Sequence, residues 1–159
     1  MKVLIATEKP FSASASAKIA EAIVAAGHTP VFLEKYKSPA ELHGALADAD
    51  ALIVRSDIID AAALAAAPKL RIIVRAGAGY DNIDLEAARN AGIVVENTPG
   101  QNANAVAELV VGLAIMAARN NYSGSTGFEL GGRRLGLQAF GQVSRKVAPK
   151  AKGLGMTVT

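Results

Sequence analysis

Two arginines, Arg55 and Arg75, each follow a short β-branched run, and their side chains are the best suited in the sequence to hold an anion. A guanidinium offers paired N–H donors that match a carboxylate or a phosphate. The loop Gly77–Gly79 follows Arg75, and its glycines let the backbone approach closely and aim N–H groups at an anion. This pattern indicates a pocket for a small anion. Ion pairs of the two arginines with Asp57 and Asp81 would account for it equally well.

A second glycine-containing turn lies at 136–144, between a predicted strand and a predicted helix. Fitting the dinucleotide pattern G-x-G-x-x-G there places Ala139, Gly141 and Ser144 at its three glycine positions. Only Gly141 is retained, at the position where the backbone must approach a pyrophosphate. The pattern is therefore a weak indication of nucleotide binding at a helix N-terminus. Pro149 is expected to kink or shorten the helix that follows.

The remaining titratable candidates carry less information. His28 and His43 are the only histidines, and neither has a carboxylate at metal-ligand spacing on the same face. The sequence contains no cysteine, which excludes a thiolate nucleophile or ligand. We therefore expect no metal site and no catalytic role for either histidine. Glu108 lies in an apolar helix and is expected to be either a buried, paired carboxylate or a subunit contact.

The elements that must position these residues alternate between β-branched runs and alanine-rich helices. Five strands separated by helices within 100 residues predict an α/β fold with a parallel sheet and helices on both faces. Ligands of such sheets bind outside the carboxyl ends of the strands, where Arg55 and Arg75 fall. The predicted strands are Val3–Thr7, Val31–Leu33, Ala51–Arg55, Arg71–Arg75 and Ile93–Glu96.

The rest of the sequence predicts a long helix and one βαβ unit. The helix, at about 103–120, is apolar nearly all round, so we expect it to be buried on several sides. After a loop at 121–132, a strand at 134–140, a helix from Gln142 and a strand at 156–159 follow. A single βαβ unit has too little core to be stable by itself. We therefore expect it to be an incomplete domain or to pack on another element.

Composition limits the class of protein. Apolar residues make up 51% of the chain and charged residues 19%, which indicates a globular domain. No secretory leader is recognised, and the longest apolar stretch is half the length needed to span a bilayer, so we expect a cytoplasmic protein without a membrane partner. Residues 101–159 carry 7 basic and 2 acidic groups. Because no aromatic residues are interleaved with them, we expect no nucleic-acid partner.

Four stretches resemble one known family in order and spacing. Taken together they are similar to the D-2-hydroxyacid dehydrogenases, and most of all to the phosphoglycerate dehydrogenase branch, over essentially the whole chain. They are Arg75-Ala-Gly-Ala-Gly-Tyr-Asp-Asn-Ile-Asp84, Val54-Arg55-Ser56, Asn97-Thr98-Pro99 followed by Ala105-Val106-Ala107-Glu108, and Leu135-Gly136-Leu-Gln-Ala-Phe-Gly141.

The resemblance implies a domain organisation. Residues 1–100 would form a flavodoxin-like, doubly wound substrate-binding domain. Residues 101–121 would be a crossover helix, which in the family contributes to a homodimer interface. Residues 122–159 would be the first βαβ of a Rossmann NAD-binding domain, here incomplete.

The resemblance also implies a cofactor, NAD, and a substrate, a phosphorylated 2-hydroxy acid oxidised in serine biosynthesis. Arg55 and Ser56 would hold the substrate phosphate. The substrate carboxylate would be received by Arg75, Ala76 and Gly77. The cofactor would contact Ala78 on its nicotinamide side, and its pyrophosphate would contact Gly141, Gln142 and Val143.

The family's catalytic arginine, glutamate and histidine have no counterparts in this sequence. We therefore expect no catalytic residue here, and no activity from this chain alone. One alternative is a flavodoxin-like scaffold or assembly module, natural or engineered, that dimerises through the 103–120 helix. A further alternative is a free-standing phosphate- or nucleotide-binding module.

Overall fold

The computed structural model describes residues 1–159, which form two compact units, Met1–Pro99 and Gly100–Thr159. The first unit alternates strands and helices throughout. Its elements are β1 (Lys2–Thr7), α1 (Ala13–Ala25), β2 (Thr29–Glu34), α2 (Pro39–Leu46), β3 (Ala51–Val54), α3 (Ala61–Ala65), β4 (Ile72–Arg75), α4 (Leu85–Asn90) and β5 (Val94–Asn97).

The five strands of the first unit form one parallel sheet in the order β2-β1-β3-β4-β5. This is the flavodoxin-like doubly wound order, so the predicted α/β parallel sheet is confirmed. Ala6 pairs with Val54, Val54 with Arg75, and Arg75 with Asn97. The carboxyl ends of four strands therefore lie level with one another, and the loops that follow them share one edge of the sheet.

The core of this unit lies on both faces of the sheet. On one face Leu4, Leu52 and Ile73 are fully buried, in one cluster with residues of α2, α3 and α4. On the other face Val3 and Ile5 pack with residues of α1. Each fully buried Leu or Ile stabilises the fold by about 1.5–3 kcal/mol. The sheet is thus a rigid base for the loops at its carboxyl edge.

Side-chain caps fix where the helices after β3 and β4 begin. Asp60 accepts a hydrogen bond from the Ala63 N–H at 2.9 Å, and Asp84 accepts one from the Ala87 N–H at 2.9 Å. Such caps are worth about 1 kcal/mol each. At α2 the Ser38 hydroxyl donates to the Glu41 carboxylate and does not cap a backbone N–H.

The second unit contains two packed helices and a short strand pair. Its elements are α5 (Ala103–Ala118), a 3-10 turn (Asn120–Tyr122), β6 (Arg134–Leu135), α6 (Gln142–Gly153) and β7 (Thr157–Val158). The strands β6 and β7 pair in parallel, as expected of a βαβ unit. α6 packs against α5, and the Lys150 ammonium donates to the Asn104 side chain at 2.9 Å.

Two expectations for this second unit are wrong, and the shortening of α6 at Pro149 is not observed. α5 is not buried on several sides, because α6 covers one side and leaves Leu109 (60%) and Leu113 (54%) exposed. β6 ends at Leu135 rather than 140, because the chain turns out of the strand before Ala139, whose φ is +66°. α6 continues through Pro149 to Gly153. Pro149 has no N–H to donate to the carbonyl of Arg145, and Arg145 is exposed, so water can satisfy that carbonyl.

Glu108 is exposed, not buried, and its carboxylate accepts a hydrogen bond from the Asn104 side chain. None of the helices is long and apolar enough to cross a lipid bilayer.

Candidate functional site

Arg55 begins the loop after β3 and turns its side chain toward the loop after β1. Its Nη1 donates to the carbonyl of Lys9 at 2.9 Å and to that of Pro10 at 3.1 Å. Its Cζ lies 5.3 Å from the centroid of the Phe11 ring, a cation–π distance. No carboxylate pairs with it. Main-chain carbonyls and an aromatic ring therefore orient this guanidinium, while Nε and Nη2 have no protein partner.

Arg75 ends β4 and folds back over the glycine loop. A Cβ built on Gly77 would lie 1.4 Å from Arg75 Nη1 and 2.6 Å from Cζ, so the guanidinium occupies the space that a side chain at Gly77 would fill. The Nε of Arg75 is buried without a hydrogen-bond partner. No carboxylate pairs with this arginine either. The alternative interpretation, ion pairs with Asp57 and Asp81, is therefore wrong for both arginines.

The backbone of the glycine loop is only partly available to a ligand. The Ala76 N–H donates to the carbonyl of Val54 at 2.8 Å, and the Gly77 N–H donates to that of Arg75 at 2.8 Å. The N–H groups of Ala78 and Gly79 have no partner in the chain. In this conformation the loop can therefore offer a ligand the N–H groups of Ala78 and Gly79, but not those of Ala76 and Gly77, which were predicted to receive the substrate carboxylate.

Two asparagines hold this loop in place, and the sequence interpretation gave neither a role. The Asn97 amide donates to the carbonyl of Ala78 at 2.7 Å. The Asn82 amide donates to the carbonyl of Asp57 at 2.7 Å and to that of Arg55 at 3.5 Å. The Arg55 loop and the glycine loop are therefore joined by hydrogen bonds. Both asparagines stand at strand ends or in a strand-end loop, and that position was the only sequence signal for them.

Asp57 is the one buried acidic residue, with 5% of its surface exposed. Its Oδ1 accepts hydrogen bonds from the Glu8 N–H at 2.7 Å and from the Tyr36 hydroxyl at 2.8 Å. Its Oδ2 accepts one from the Arg55 N–H at 3.4 Å. Burial raises the pKa of the Tyr36 phenol above its ordinary value, and the hydrogen bond to Asp57 raises it further. The phenol therefore remains a donor to this carboxylate.

A cavity of about 310 Å³ adjoins these residues at the carboxyl edge of the sheet. Ser56, which is exposed, lines it together with Asp57, Tyr36 and His43. Glu8 and Asp60 complete its polar wall, so its charge is negative. Nowhere in the chain do three or more His, Asp or Glu side chains come together in a way that could hold a metal ion. An anion is therefore attracted to Arg55 and Arg75 and repelled by the carboxylates of this cavity.

The second unit carries the glycine turn predicted to bind a nucleotide. Gly141 is the N-cap of α6 and lies in open space, with no atom within 4 Å of a Cβ built on it. The N–H groups of Gln142 and Val143 have no partner in the chain, and the first turn of the helix contains no acidic side chain. Free N–H groups at a helix N-terminus suit an anionic group such as a pyrophosphate.

The turn before Gly141 is stabilised from within the helix. Arg145 donates from Nε to the carbonyl of Phe140 at 3.0 Å, and its Cζ lies 5.8 Å from the Phe140 ring centroid. Ala139 adopts the left-handed region that glycine occupies more easily, so the departure from the pattern at this position is accommodated at a cost in strain.

Comparison with known sequences agrees with this geometry. The family model for "D-isomer specific 2-hydroxyacid dehydrogenase, catalytic domain" matches residues 5–158. The D-3-phosphoglycerate dehydrogenase of Methanocaldococcus jannaschii is 39% identical over 137 residues, which covers 74% of this chain and 25% of that protein. The D-3-phosphoglycerate dehydrogenase of Mycobacterium leprae is 35% identical, with 89% of this chain and 30% of that protein covered.

Comparison with solved structures gives the same result. The chain superimposes on NAD+-bound 3-phosphoglycerate dehydrogenase from Entamoeba histolytica with a TM-score of 0.96 and 46% identity, covering 100% of this chain and 53% of that one. The chain thus spans about half the length of that structure and between a quarter and a third of the curated relatives. On the strength of the family match and of these relatives, the chain belongs to the D-isomer specific 2-hydroxyacid dehydrogenase family.

Proposed function

We propose that the chain is the substrate-binding unit and the start of the cofactor-binding unit of an NAD-dependent oxidoreductase that acts on a phosphorylated 2-hydroxy acid, with 3-phosphoglycerate as the first candidate. Residues 1–100 would be the substrate-binding domain, 101–121 the crossover helix, and 122–159 the first βαβ of the nucleotide domain. A cytoplasmic location and a role in serine biosynthesis remain predictions that follow from this assignment.

One observation carries the proposal: two arginines at neighbouring strand ends have no carboxylate partner. A phosphorylated hydroxy acid has two anionic groups, and each suits one guanidinium. Nε and Nη2 of Arg55 are free to donate to a phosphate, whereas Ser56, the second predicted phosphate ligand, is exposed and lines the acidic cavity. The guanidinium of Arg75 has no hydrogen bond or ion pair within the chain, and a substrate carboxylate would supply the missing acceptor.

The test of substrate binding compares three arginines that end or begin strands. We expect 3-phospho-D-glycerate to bind the chain measurably in a calorimetric titration, and more tightly than D-glycerate does. Arg55→Lys and Arg75→Lys should each weaken binding about tenfold or more, because lysine cannot donate in a paired fork. Arg71→Lys is the matched control at the opposite end of β4 and should bind like the parent chain. Equal binding by all four proteins would contradict the assignment.

For the cofactor, the residues at the start of α6 fit a pyrophosphate. Gln142 and Val143 would donate their free N–H groups to it, and Gly141 leaves room for close approach. NAD, when bound, would accept a hydride from the substrate carbon that bears the hydroxyl. Titration with NAD should shift the amide resonances of Gln142 and Val143 in an NMR spectrum. Shifts confined to other residues would contradict this part of the proposal.

We further propose that the 159-residue chain binds and orients ligands without catalysing their reaction, because neither of its histidines belongs to the Arg55 loop or to the glycine loop. His28 lies between α1 and β2, and His43 lines the separate acidic cavity. The expected result is no NADH formation from NAD and 3-phosphoglycerate. NADH formation that follows the protein through gel filtration would contradict this proposal.

The assembly alternative is supported by one surface, the apolar face of α5. Leu109, Val110, Leu113 and Met116 are between 37% and 60% exposed there. Exposed apolar patches of this kind mark protein interfaces. We propose that two copies of the chain pair through this face. Light scattering should then give a dimer, Leu113→Lys should give a monomer, and Val24→Lys, an equally exposed position on α1, should leave the dimer intact. A monomeric parent chain would remove this candidate.

A further inference from the structure

Asp57 has a buried carboxylate to which the proposed function gives no task. Three N–H or O–H donors converge on it: the Glu8 N–H after β1, the Tyr36 hydroxyl after β2, and the Arg55 N–H after β3. No cationic side chain pairs with it. A buried carboxylate is costly unless donors satisfy its oxygens, so these three bonds must persist for the negative charge to stay buried.

The same turn is held from its other side by Asn82. Its amide donates to the carbonyls of Asp57 and Arg55, and the Ile59 N–H donates to the carbonyl of Asn82 at 2.9 Å. Residues 55–57 are therefore fixed by the loops after β1 and β2 on one flank and by the loop after β4 on the other.

We propose that Asp57 is a positioning residue for Arg55: its carboxylate fixes the backbone of the 55–57 turn, and that turn determines where the Arg55 guanidinium presents its free donors. The inference rests on the proposed function in one respect, that Arg55 receives the phosphate of the substrate. Asp57 itself, being negative, does not contact that phosphate.

The chemistry of the site requires a carboxylate at this position. A carboxylate only accepts hydrogen bonds, and each of the three groups around Asp57 donates one. An asparagine of the same shape has one accepting oxygen and one donating nitrogen. In Asp57→Asn the NH2 group must face a donor, either the Arg55 N–H or the pair from Glu8 and Tyr36. The turn is then released on one flank.

The ligand-free chain already has a signal that reports where Arg55 lies. Because the guanidinium stacks on Phe11, the ring current should shift the Arg55 Hδ and Hε resonances upfield in an NMR spectrum. We expect Asp57→Asn to abolish this shift and to move the Arg55 and Glu8 amide resonances. Asp48→Asn removes an exposed carboxylate that pairs with Lys69, and should leave the Arg55 signals unchanged. Arg55 signals unaltered in folded Asp57→Asn would overturn the inference.

Asn82→Ala is the second variant, and it decides the matter if Asp57→Asn does not fold. The Asn82 Oδ1 has no partner, so this substitution removes only the bonds donated to the 55–57 turn. We expect the Arg55 ring-current shift to be reduced in the same direction. Unchanged Arg55 signals in this variant would also count against a turn that sets the position of the guanidinium.

Titration with 3-phospho-D-glycerate links position to binding. Asp57→Asn should raise the Kd about tenfold, the effect of one charge-assisted hydrogen bond. The same substitution in an Arg55→Ala background should add almost nothing, and an undiminished effect there would overturn the inference. If the parent chain does not bind 3-phosphoglycerate but its Arg55 signals still depend on Asp57, the proposed substrate fails and the positioning role stands.

Discussion

Two glycines offer a matched experiment, because the same added methyl group meets a flexible side chain at one and backbone at the other. In Gly77→Ala the new Cβ coincides with the guanidinium of Arg75, 1.4 Å from Nη1. In Gly127→Ala it lies 2.3 Å from the carbonyl oxygen of Ala118 and 2.9 Å from the Cα of Arg119. Both contacts are too short to persist, so either the neighbour or the backbone must move.

Gly127→Ala should lower the free energy of unfolding more than Gly77→Ala does. The Arg75 guanidinium makes no hydrogen bond or ion pair that its displacement would break, and alanine restricts the unfolded chain, so Gly77→Ala should lie within about 1 kcal/mol of the parent. Gly127→Ala must push back the end of α5, at about 1–3 kcal/mol. It also strains the bond from the Phe128 N–H to Ala118, worth about 1 kcal/mol more. We expect a total loss of about 2–4 kcal/mol.

Amide hydrogen exchange measures each unit separately. The Ile73 N–H in β4 reports the first unit and the Ala107 N–H in α5 the second. The exchange free energy at Ile73 should be nearly unchanged in Gly77→Ala, and that at Ala107 should fall in Gly127→Ala. Equal losses of exchange free energy in the two variants, or a larger loss in Gly77→Ala, would refute this reasoning. It would show that the Arg75 side chain does not move aside more easily than the backbone at the end of α5.

Three further predictions concern strain, burial and pH. Ala139→Gly should stabilise the second unit by up to about 1 kcal/mol in urea unfolding, since it relieves the strain of a left-handed alanine. Leu52→Ala should cost about 2–5 kcal/mol in the same assay, whereas Val24→Ala, on an exposed face, should cost under about 0.5 kcal/mol. The raised pKa of Tyr36 stabilises the fold below the ordinary tyrosine pKa of about 10, and this contribution is lost as pH rises further. Above that pH the parent should therefore lose stability faster than Tyr36→Phe, and parallel pH profiles would contradict the burial of this phenol.

Much of the fold could be predicted because its signals are local. β-branched runs predicted all five strands of the first sheet to within a few residues. The second unit was harder. β6 is followed by a turn in which Ala139 adopts a left-handed conformation that alanine seldom takes, and α6 continues through Pro149, which lies on its exposed side. Neither property is visible in the residue type alone.

For the candidate site, position could be predicted but partners could not. The strand-end rule located Arg55 and Arg75. The groups that orient Arg55 lie 46 and 45 residues away, at the carbonyls of Lys9 and Pro10 respectively. Asn82 acts across 25 residues on the carbonyl of Asp57. Every residue has a backbone carbonyl, so the type of a residue does not show whether its carbonyl accepts a hydrogen bond from a distant side chain. These partners therefore cannot be predicted from a single sequence.

Alanine methyl groups, together with Leu64 of α3, fill the space between the sheet and the segments that contain α3 and α4. Ala63, Ala67 and Ala88 are 0–4% exposed, and Ala6 and Ala49 beside them are wholly enclosed. A valine at any of these positions would lift a helix from the strands and tilt the segment that leads into it, including the turns that begin at Arg55 and Arg75. Substitutions far from a bound ligand can therefore alter how the ligand is recognised. A search for variants with altered substrate preference should include these buried alanines.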